Sequence, residues 1–550
     1  MKKRFLVAII LSIVLCMVGC NVQKVTQSVI SENGQEEQQT EPNKDDEQET
    51  VAVTEPQGEP ETSEKHNSET DPEKTHSEEK GAPNAVYLDV TFEEHWDSYY
   101  DDVFLMSGKY NSIDLQITDY PALTKAVNTF NAEYIAQTQG YVDKIKENAL
   151  SDYKESSPDN WMGPYEFESE MILKRADDEV LAVEEQIYSY EGGIHGLSFY
   201  NTYNFDVQTG EWIALENVIT DMDSLPDILE AEIIGKYPDL EPWKEPLADV
   251  FRDYISPVQE EYQPTFTWTL GYDGVTFYFS NYEIGSYAEG LQQITVCYSE
   301  YPQIFDDGYF KNVDDSYVME LDDLWSGTDT DLNGDGITDY VSVTCNYDYE
   351  MDYIESYNVT VNGNTFTQES YGYGYKSYLL KAEDRNYIYV ERMVENDYRL
   401  ITVFEITPNS VEYMGETGGG IGCFTNPFNF EVEKRMDVLS TYTASADCYV
   451  GDDGMPVEKN GIYEVKSDIS ITSIAEIEAE LVDEEGNLTG EGYCFPAGTD
   501  FKFMATDGET FADMLTSDGQ RCRLYTENGW PVTVNGRNAE ECFEMLWYAG

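Results

Sequence analysis

The chain is short of positive charge. Its 550 residues include 32 lysines and arginines against 108 aspartates and glutamates, which gives a formal net charge of -76. Nucleic acid and anionic lipid surfaces are repelled by such a field, so we expect no nucleic-acid partner. Cations and basic proteins are attracted by it. The alternative interpretation is that the acidity serves solubility alone and needs no partner.

Histidine is also scarce, and the common catalytic motifs are absent. Only His95 and His195 lie outside the N-terminal 85 residues, and there is no G-x-S-x-G turn, P-loop or H-E-x-x-H helix. Because acidic residues are so abundant, a close pair of carboxylates carries almost no information about glycoside chemistry. We therefore expect a binding protein and no enzyme, with a cell-wall polysaccharide hydrolase or modifying enzyme as the rival interpretation.

The first residues indicate an export signal. Basic residues at 2–4 precede an apolar run at 5–18, which is too short for a comfortable transmembrane helix. The run ends in Met17-Val-Gly-Cys20, which resembles the lipobox of bacterial lipoproteins, although leucine is usual where Met17 stands. The resemblance implies that Cys20 carries acyl chains such as palmitate and anchors the chain to the outer face of the cell membrane. An ordinary cleaved signal peptide or a signal anchor is the alternative.

The nine cysteines form no disulfide framework that the sequence reveals. Cys16 lies in the signal and Cys20 in the lipobox, and no C-x-x-C occurs, which argues against a zinc ribbon. Seven cysteines remain: Cys297, Cys345, Cys423, Cys448, Cys494, Cys522 and Cys542. Their odd number and irregular spacing favour buried free thiols, with one or two bridges among the last four as the alternative.

Residues 21–85 form a polar, acidic segment with no aromatic residue before Tyr87. Such a segment cannot bury enough apolar surface to offset the entropy of ordering, and like charges extend it further. We therefore expect a disordered tether between the signal at 1–20 and the folded part. No later stretch is long and apolar enough to span a bilayer, so we expect the folded part to be extracytoplasmic.

The pattern over residues 86–310 predicts an α+β domain. Apolar residues from Leu123 to Ile145 recur at helical spacing and predict an amphipathic helix over 122–150. A second helical stretch over 225–254 is interrupted by three prolines. Strand-like patterns occur at 113–117, 180–190, 200–205 and 275–279.

From about residue 311 onward the pattern is nearly all β. We expect one β domain over 311–430 and a second over 431–550. Asn362-Gly363 lies between two alternating runs and predicts a hairpin. Asp-Gly turns begin at 453, 507 and 518. The predicted fold is thus an α+β first domain followed by mostly-β domains.

Two stretches of the first domain resemble a known family. The first is Tyr-Glu-Gly-Gly-Ile-His-Gly at 190–196, followed by Asn-Phe-Asp-Val-Gln-Thr-Gly-Glu at 204–211. The second is Phe-Tyr-Phe-Ser-Asn-Tyr-Glu-Ile-Gly-Ser-Tyr-Ala-Glu-Gly at 277–290. Together they resemble the extracytoplasmic module of the PdaC/RsiV-like family, which lysozyme-sensing anti-sigma factors and a peptidoglycan deacetylase share. The resemblance spans about residues 87–306.

The resemblance implies a binding role. In the sensor this module recognises lysozyme, a strongly basic protein, and an acidic chain suits such a target by charge steering. The candidate ligand-binding residues are His195, inside a glycine-rich loop, and Tyr282 and Tyr287, in an aromatic loop after a buried strand. The alternative is that these residues only fix the turns of the fold.

Two departures from the family limit what this chain is expected to share. No segment for binding a sigma factor precedes the export signal, so we expect no direct regulation of a sigma factor. No histidine follows residue 310, so we expect no metal-dependent deacetylase site. Binding to a basic protein or to a cell-wall component is what we expect the chain to retain.

The sharpest chemical signal is an acidic loop at 329–339. Oxygen-bearing residues recur at every second position around a glycine, an arrangement that can wrap a calcium ion. The expected ligands are Asp331, Asn333, Asp335, Ile337 through its backbone carbonyl, and Asp339. Ser342 stands where an EF-hand has glutamate, and the loop instead resembles the calcium loop of integrin-type FG-GAP repeats. The resemblance implies a structural calcium ion, with a metal-free polar turn as the alternative.

The last section, around residues 498–525, resembles a small bacterial SH3-like barrel, a type of module that often binds cell-wall peptides. A barrel without a ligand is the alternative. Taken with the anchor and the charge, the sequence favours a surface-anchored extracellular binding lipoprotein whose partner is lysozyme or peptidoglycan. A passive envelope structural protein is the third interpretation.

Overall fold

The structure is a computed structural model that describes residues 86–116, 119–156, 160–256, 265–321, 327–348, 351, 353–382, 384–527, 529 and 531–548. The predicted signal peptide, the predicted lipidation site Cys20 and the predicted tether over 21–85 lie outside the described residues. So does Ile117, at the end of one predicted strand.

A five-stranded sheet forms the N-terminal part of the described chain. Its strands are β1 (Val90–Tyr100), β2 (Phe104–Leu115), β3 (Tyr165–Ala176), β4 (Val180–Tyr190) and β5 (Leu197–Asp206). They lie in chain order, with β2 and β3 parallel and the other neighbours antiparallel. A parallel pair needs a long crossover connection, and the helix α1 (Pro121–Glu155) supplies it. β1 and β5 are therefore the two edges of this sheet.

Helix α1 confirms the helix predicted from apolar spacing, and it extends beyond both predicted ends. Proline occupies its first turn, where no intrahelical N–H bond is lost. Its buried face meets a carboxylate at the centre of the sheet. Glu185 is 1% exposed and accepts hydrogen bonds from Tyr134 Oη of α1 at 2.6 Å and from Asn201 Nδ2 at 2.9 Å. These bonds satisfy a buried polar group and fix α1 on the sheet.

A second layer packs against the face of β4 and β5 that α1 does not cover. It contains a three-stranded antiparallel sheet of β6 (Thr267–Leu270), β7 (Gly274–Phe279) and β8 (Gln292–Cys297), with helices α2 (Leu215–Val218), α3 (Leu225–Lys236) and α4 (Ala248–Tyr254). Leu229, Ile233 and Phe251 from α3 and α4 share one core with Phe277 and Val296. The helical stretch is interrupted where the prolines predict.

The following region is antiparallel β structure. Its strands are β9 (Tyr317–Leu321), β10 (Thr328–Thr330), β11 (Asp339–Asp348), β12 (Tyr353–Val361), β13 (Asn364–Gly372), β14 (Gly374–Ala382), β15 (Arg385–Met393), β16 (Arg399–Thr407) and β17 (Ser410–Gly418). One sheet has the order β10-β11-β12-β13 and the other β17-β16-β15-β14-β9. The predicted hairpin is confirmed, because Asn362 and Gly363 join β12 to β13 with φ of 48° and 81°.

The C-terminal strands form a branched sheet. They are β18 (Gly420–Ile421), β19 (Phe430–Met436), β20 (Tyr442–Val450), β21 (Pro456–Glu458), β22 (Tyr463–Val465), β23 (Ser470–Ser473), β24 (Ile477–Val482), β25 (Leu488–Phe495), β26 (Asp500–Thr506), β27 (Phe511–Thr516), β28 (Arg521–Glu527), β29 (Thr533–Val534), β30 (Arg537–Asn538) and β31 (Phe543–Glu544). The main path is β18-β19-β20-β22-β26-β27-β28-β24-β25.

This open path differs from the closed SH3-like barrel that the sequence predicts. Among the described strands, the path ends at two different strands, β18 and β25, so no barrel forms. The predicted Asp-Gly turns at 507 and 518 do join β26 to β27 and β27 to β28. Such turns specify neighbouring strands only. Closure depends on distant pairings, and here β28 pairs with β24.

None of the helices among the described residues is sufficiently long and apolar to cross a membrane. No disulfide joins any of the seven cysteines after residue 20, all of which lie in the described part. The thiols of Cys297, Cys448, Cys522 and Cys542 are buried, as small apolar groups in a core would be.

Candidate binding surface

The two motif stretches meet at the open edge of β5. An edge strand leaves outward N–H and C=O groups that need partners. Ser198 N donates to Asn281 Oδ1 at 2.8 Å, and Asn281 N donates back to the Ser198 carbonyl at 3.2 Å. Tyr200 N donates to Ser280 Oγ at 3.2 Å. The loop after β7 therefore closes this edge, which brings the second motif against the first.

The contact between β5 and the loop after β7 places the three predicted ligand-binding residues beside one another. The rings of His195 and Tyr287 stack with centroids 3.8 Å apart and an interplanar angle of 19°. The Tyr282 ring lies 6.5 Å from His195 and 5.7 Å from Tyr287. His195 Nδ1 donates to the Gly196 carbonyl at 2.9 Å, which holds the imidazole in place.

Two apolar residues that the sequence did not single out enlarge this group. Ile194 is 85% exposed and Trp243 is 61% exposed, while Tyr282 is 42% exposed. Trp243 Nε1 donates to the Tyr282 carbonyl at 3.1 Å. No local sequence pattern connects Trp243 to this loop, since about 40 residues separate them. We call Ile194, His195, Trp243, Tyr282 and Tyr287 the motif-loop cluster.

Backbone conformation explains the glycines of the first motif. Gly192 and Gly193 have φ of 83° and 118°, which residues with a Cβ rarely adopt. Gly196 is needed for a different reason, because a Cβ there would lie 2.4 Å from the Tyr188 ring. The loop backbone therefore rests directly on a side chain of β4.

The Glu283 carboxyl group, whose pKa is altered, holds the loop after β7 by hydrogen bonds. Glu283 Oε2 accepts from Ser280 N at 2.8 Å and Oε1 from Tyr254 Oη at 3.1 Å. Burial raises the pKa of Glu283 from 4.5 to about 7, against the opposing effect of these hydrogen bonds. Glu283 was not among the predicted site residues, because nothing in the sequence pattern reports the environment of its carboxyl group.

Comparison with known proteins places this region in a family. Residues 217–299, which include the second motif, match the family model described as "Protein of unknown function (DUF3298)". The chain carries a DUF3298 domain. This is the PdaC/RsiV-like family that the motifs resemble. The first motif, at 190–196, lies before the matched residues, and no curated protein matches the chain.

Two solved structures are similar to part of the chain. A DUF3298 family member from Bacteroides fragilis is 19% identical, covering 41% of this chain and 96% of its own, with a TM-score of 0.33. A DUF3298 family protein from Pseudomonas aeruginosa is 15% identical, covering 42% of this chain and 98% of its own, with a TM-score of 0.27.

The acidic loop lies outside the DUF3298 domain, between β10 and β11. Asp331 accepts backbone hydrogen bonds from Gly334 at 2.7 Å, Gly336 at 2.8 Å and Asp335 at 3.2 Å. Burial raises the pKa of Asp331, but these and other hydrogen bonds outweigh it and hold the pKa below its ordinary value. Asp339 Oδ2 accepts from Leu332 N at 3.2 Å. The loop is thus shaped by its own carboxylates.

The same loop contacts the DUF3298 domain. Lys236 of α3 forms a largely buried ion pair with Asp329 at 2.7 Å. Thr338 Oγ1 donates to Glu300 Oε2 at 2.8 Å, just after the matched residues. In the described part of the chain, no three histidine, cysteine or acidic side chains are arranged to hold a metal ion. The predicted ligands share one loop, but the oxygens of four of them accept hydrogen bonds from backbone amides: Asp331, Asn333, Asp335 and Asp339.

The pKa of Glu283 predicts a pH dependence of stability. Its folded pKa of about 7 lies above its ordinary value of 4.5, so between these values the folded state binds more protons than the unfolded state. The contribution of Glu283 to the free energy of unfolding therefore falls as pH rises across that interval. The free energy of unfolding of Glu283→Gln, measured with denaturant at pH 5, 6, 7 and 8, should fall less with rising pH than that of the wild type.

The matched control is Glu478→Gln, at an exposed position of β24. It should keep the wild-type dependence of stability on pH. A Glu283→Gln variant whose unfolding free energy follows the wild-type pH profile would contradict the assignment of this group.

Proposed function

We propose that this chain is a surface-anchored extracellular binding protein, and that its DUF3298 domain binds a basic protein such as lysozyme. The observation that carries the proposal is the motif-loop cluster. Its large apolar side chains are exposed to solvent although the loops bearing them are held by hydrogen bonds. The cluster therefore offers contact area that the cores of the described residues do not use.

The cluster has the composition of an energetic centre in a protein interface. Aromatic residues are enriched at such centres, because they bury a large area at a small cost in side-chain entropy. Stacking of His195 on Tyr287 and the Trp243 bond to the Tyr282 carbonyl restrict the rings before any partner arrives. Restricting side chains in advance lowers the entropic cost of association.

Charge selects the class of partner. With a net charge of -76, the chain attracts cationic proteins over a distance set by the ionic strength. Lysozyme is the target that the PdaC/RsiV resemblance implies. Lipidation of Cys20 and an extended tether over 21–85 would hold this surface outside the cell membrane. Peptidoglycan is the other ligand to compare in the same assay.

The binding prediction is tested with the chain from residue 21 onward, which keeps every described residue, and hen lysozyme in a calorimeter. We expect binding at 50 mM salt that weakens strongly at 300 mM, since ions screen the attraction. Tyr287→Ala and Trp243→Ala should each weaken binding by about tenfold or more, a loss of about 1.4 kcal/mol.

Tyr493→Ala is the matched control, because Tyr493 is 45% exposed but lies on β25 of the C-terminal sheet. It should bind lysozyme like the wild type. Absence of wild-type binding at low salt would overturn the lysozyme proposal. Breakdown of purified peptidoglycan by the chain alone would favour the enzyme interpretation.

We also propose that the acidic loop binds a structural calcium ion. Asp331 already draws three backbone amides into a tight turn, and the predicted ligands are all oxygens, which calcium prefers. Asp335 and Asp339 would have to turn from their present hydrogen bonds toward Asp331. Such a site would stiffen the connection between the DUF3298 domain and β11.

Calcium titration followed by thermal unfolding tests this proposal. We expect calcium to raise the Tm of the wild type more than an equal concentration of magnesium does. Asp335→Asn should weaken calcium binding by about tenfold or more, because it removes one ligand charge. Asp518→Asn, in an exposed Asp-Gly turn, controls for general charge screening. Equal effects of calcium on both variants and the wild type would contradict the proposal.

A further inference from the structure

The face of the N-terminal sheet that α1 does not cover is packed by the second layer at β4, but it is exposed to solvent around Trp96 of β1. Successive side chains of a strand point to opposite faces. Tyr110 bonds Gln139 of α1, and the Phe167 ring packs on Tyr141 of α1. Their neighbours Lys109 and Glu168 therefore point to the face that α1 does not cover.

A row of side chains crosses four strands on this face. Trp96 of β1 pairs with Lys109 of β2, Lys109 with Glu168 of β3, and Glu168 with Tyr188 of β4. We call Trp96, Lys109, Glu168 and Tyr188 the sheet-face row. Its β1 end is open to solvent: Trp96 is 69% exposed, and the side chains of Glu168 and the adjacent Glu94 are 56% and 49% exposed.

The row already accommodates one cation of the chain. Lys109 Nζ lies 5.2 Å from the Trp96 ring centroid, 3.2 Å from Glu94 and 3.9 Å from Glu168. A ring face with two carboxylates beside it stabilises an ammonium or guanidinium group. One lysine faces two exposed carboxylates here, so negative charge remains for a second cation.

The row leads into the motif-loop cluster. Tyr188, its last member, is the ring on which the Gly196 backbone rests. Tyr188 also pairs with Ser198 of β5, the residue that binds Asn281 of the second motif. A partner seated on the motif-loop cluster can therefore extend across the sheet toward Trp96 without leaving the surface.

We propose that the sheet-face row is a second contact surface for the same basic protein partner. A lysine or arginine of the partner binds over Trp96 between Glu94 and Glu168. This proposal rests on the proposed function and adds to it where the partner's positive charge is received. The occupant is a cationic protein because the surplus charge of this face is negative; a second copy of this acidic chain would be repelled.

The experiment compares two double variants with equal net charge. Glu94→Gln with Glu168→Gln neutralises the row and leaves Lys109 to repel a cation. Glu478→Gln with Glu491→Gln neutralises two exposed carboxylates of the C-terminal sheet. Because both lose two negative charges, their long-range attraction to lysozyme falls alike, and only a local contact can separate them.

At 50 mM salt we expect the row variant to bind lysozyme about tenfold more weakly than the control variant. Trp96→Ala should weaken binding about threefold or more without any change of charge. Equal binding by the two double variants, with Tyr287→Ala still impaired, overturns this inference and leaves the proposed function standing. No binding by the wild type overturns both.

Discussion

The structure around the candidate surface depends on how the outer edge of β5 is satisfied. This strand ends the N-terminal sheet, and its outward backbone groups would otherwise need water or another chain. Reciprocal hydrogen bonds between Ser198 and Asn281, with a third from Tyr200 to Ser280, meet that requirement from the loop after β7. The second motif thereby caps the edge of β5, the strand that follows the first motif. This capping fixes the position of the rings that the second motif carries.

Once the edge of β5 is capped, the loop after β7 has little freedom to bury its own aromatic rings. Tyr282 has φ of 66°, a conformation that tyrosine adopts only where its surroundings impose it. Its carbonyl receives the Trp243 indole and its ring faces outward. Energy spent on shaping an exposed aromatic surface is typical of a binding site. In the proposed function, the acidity of the chain adds a preference for cationic partners that acts before contact.

Much of the fold was predictable because its signals are local. The spacing from Leu123 to Ile145 reports α1, and Asn362-Gly363 reports its hairpin, since both patterns depend on neighbouring residues. The family resemblance selected His195, Tyr282 and Tyr287 as candidates, but only the structure shows that their rings lie together. Trp243 joined the site through a contact between distant segments, and the C-terminal strands stayed open through the pairing of β24 with β28. No short pattern contains either relation.

The most direct test of the central claim is the footprint of lysozyme on the chain, measured by amide hydrogen exchange with and without saturating lysozyme. A partner that seats on the capped edge should slow exchange at residues 191–196 and 281–290, and leave the C-terminal sheet unchanged. Protection confined to the C-terminal sheet, with these two loops exchanging as in the free chain, would contradict the account.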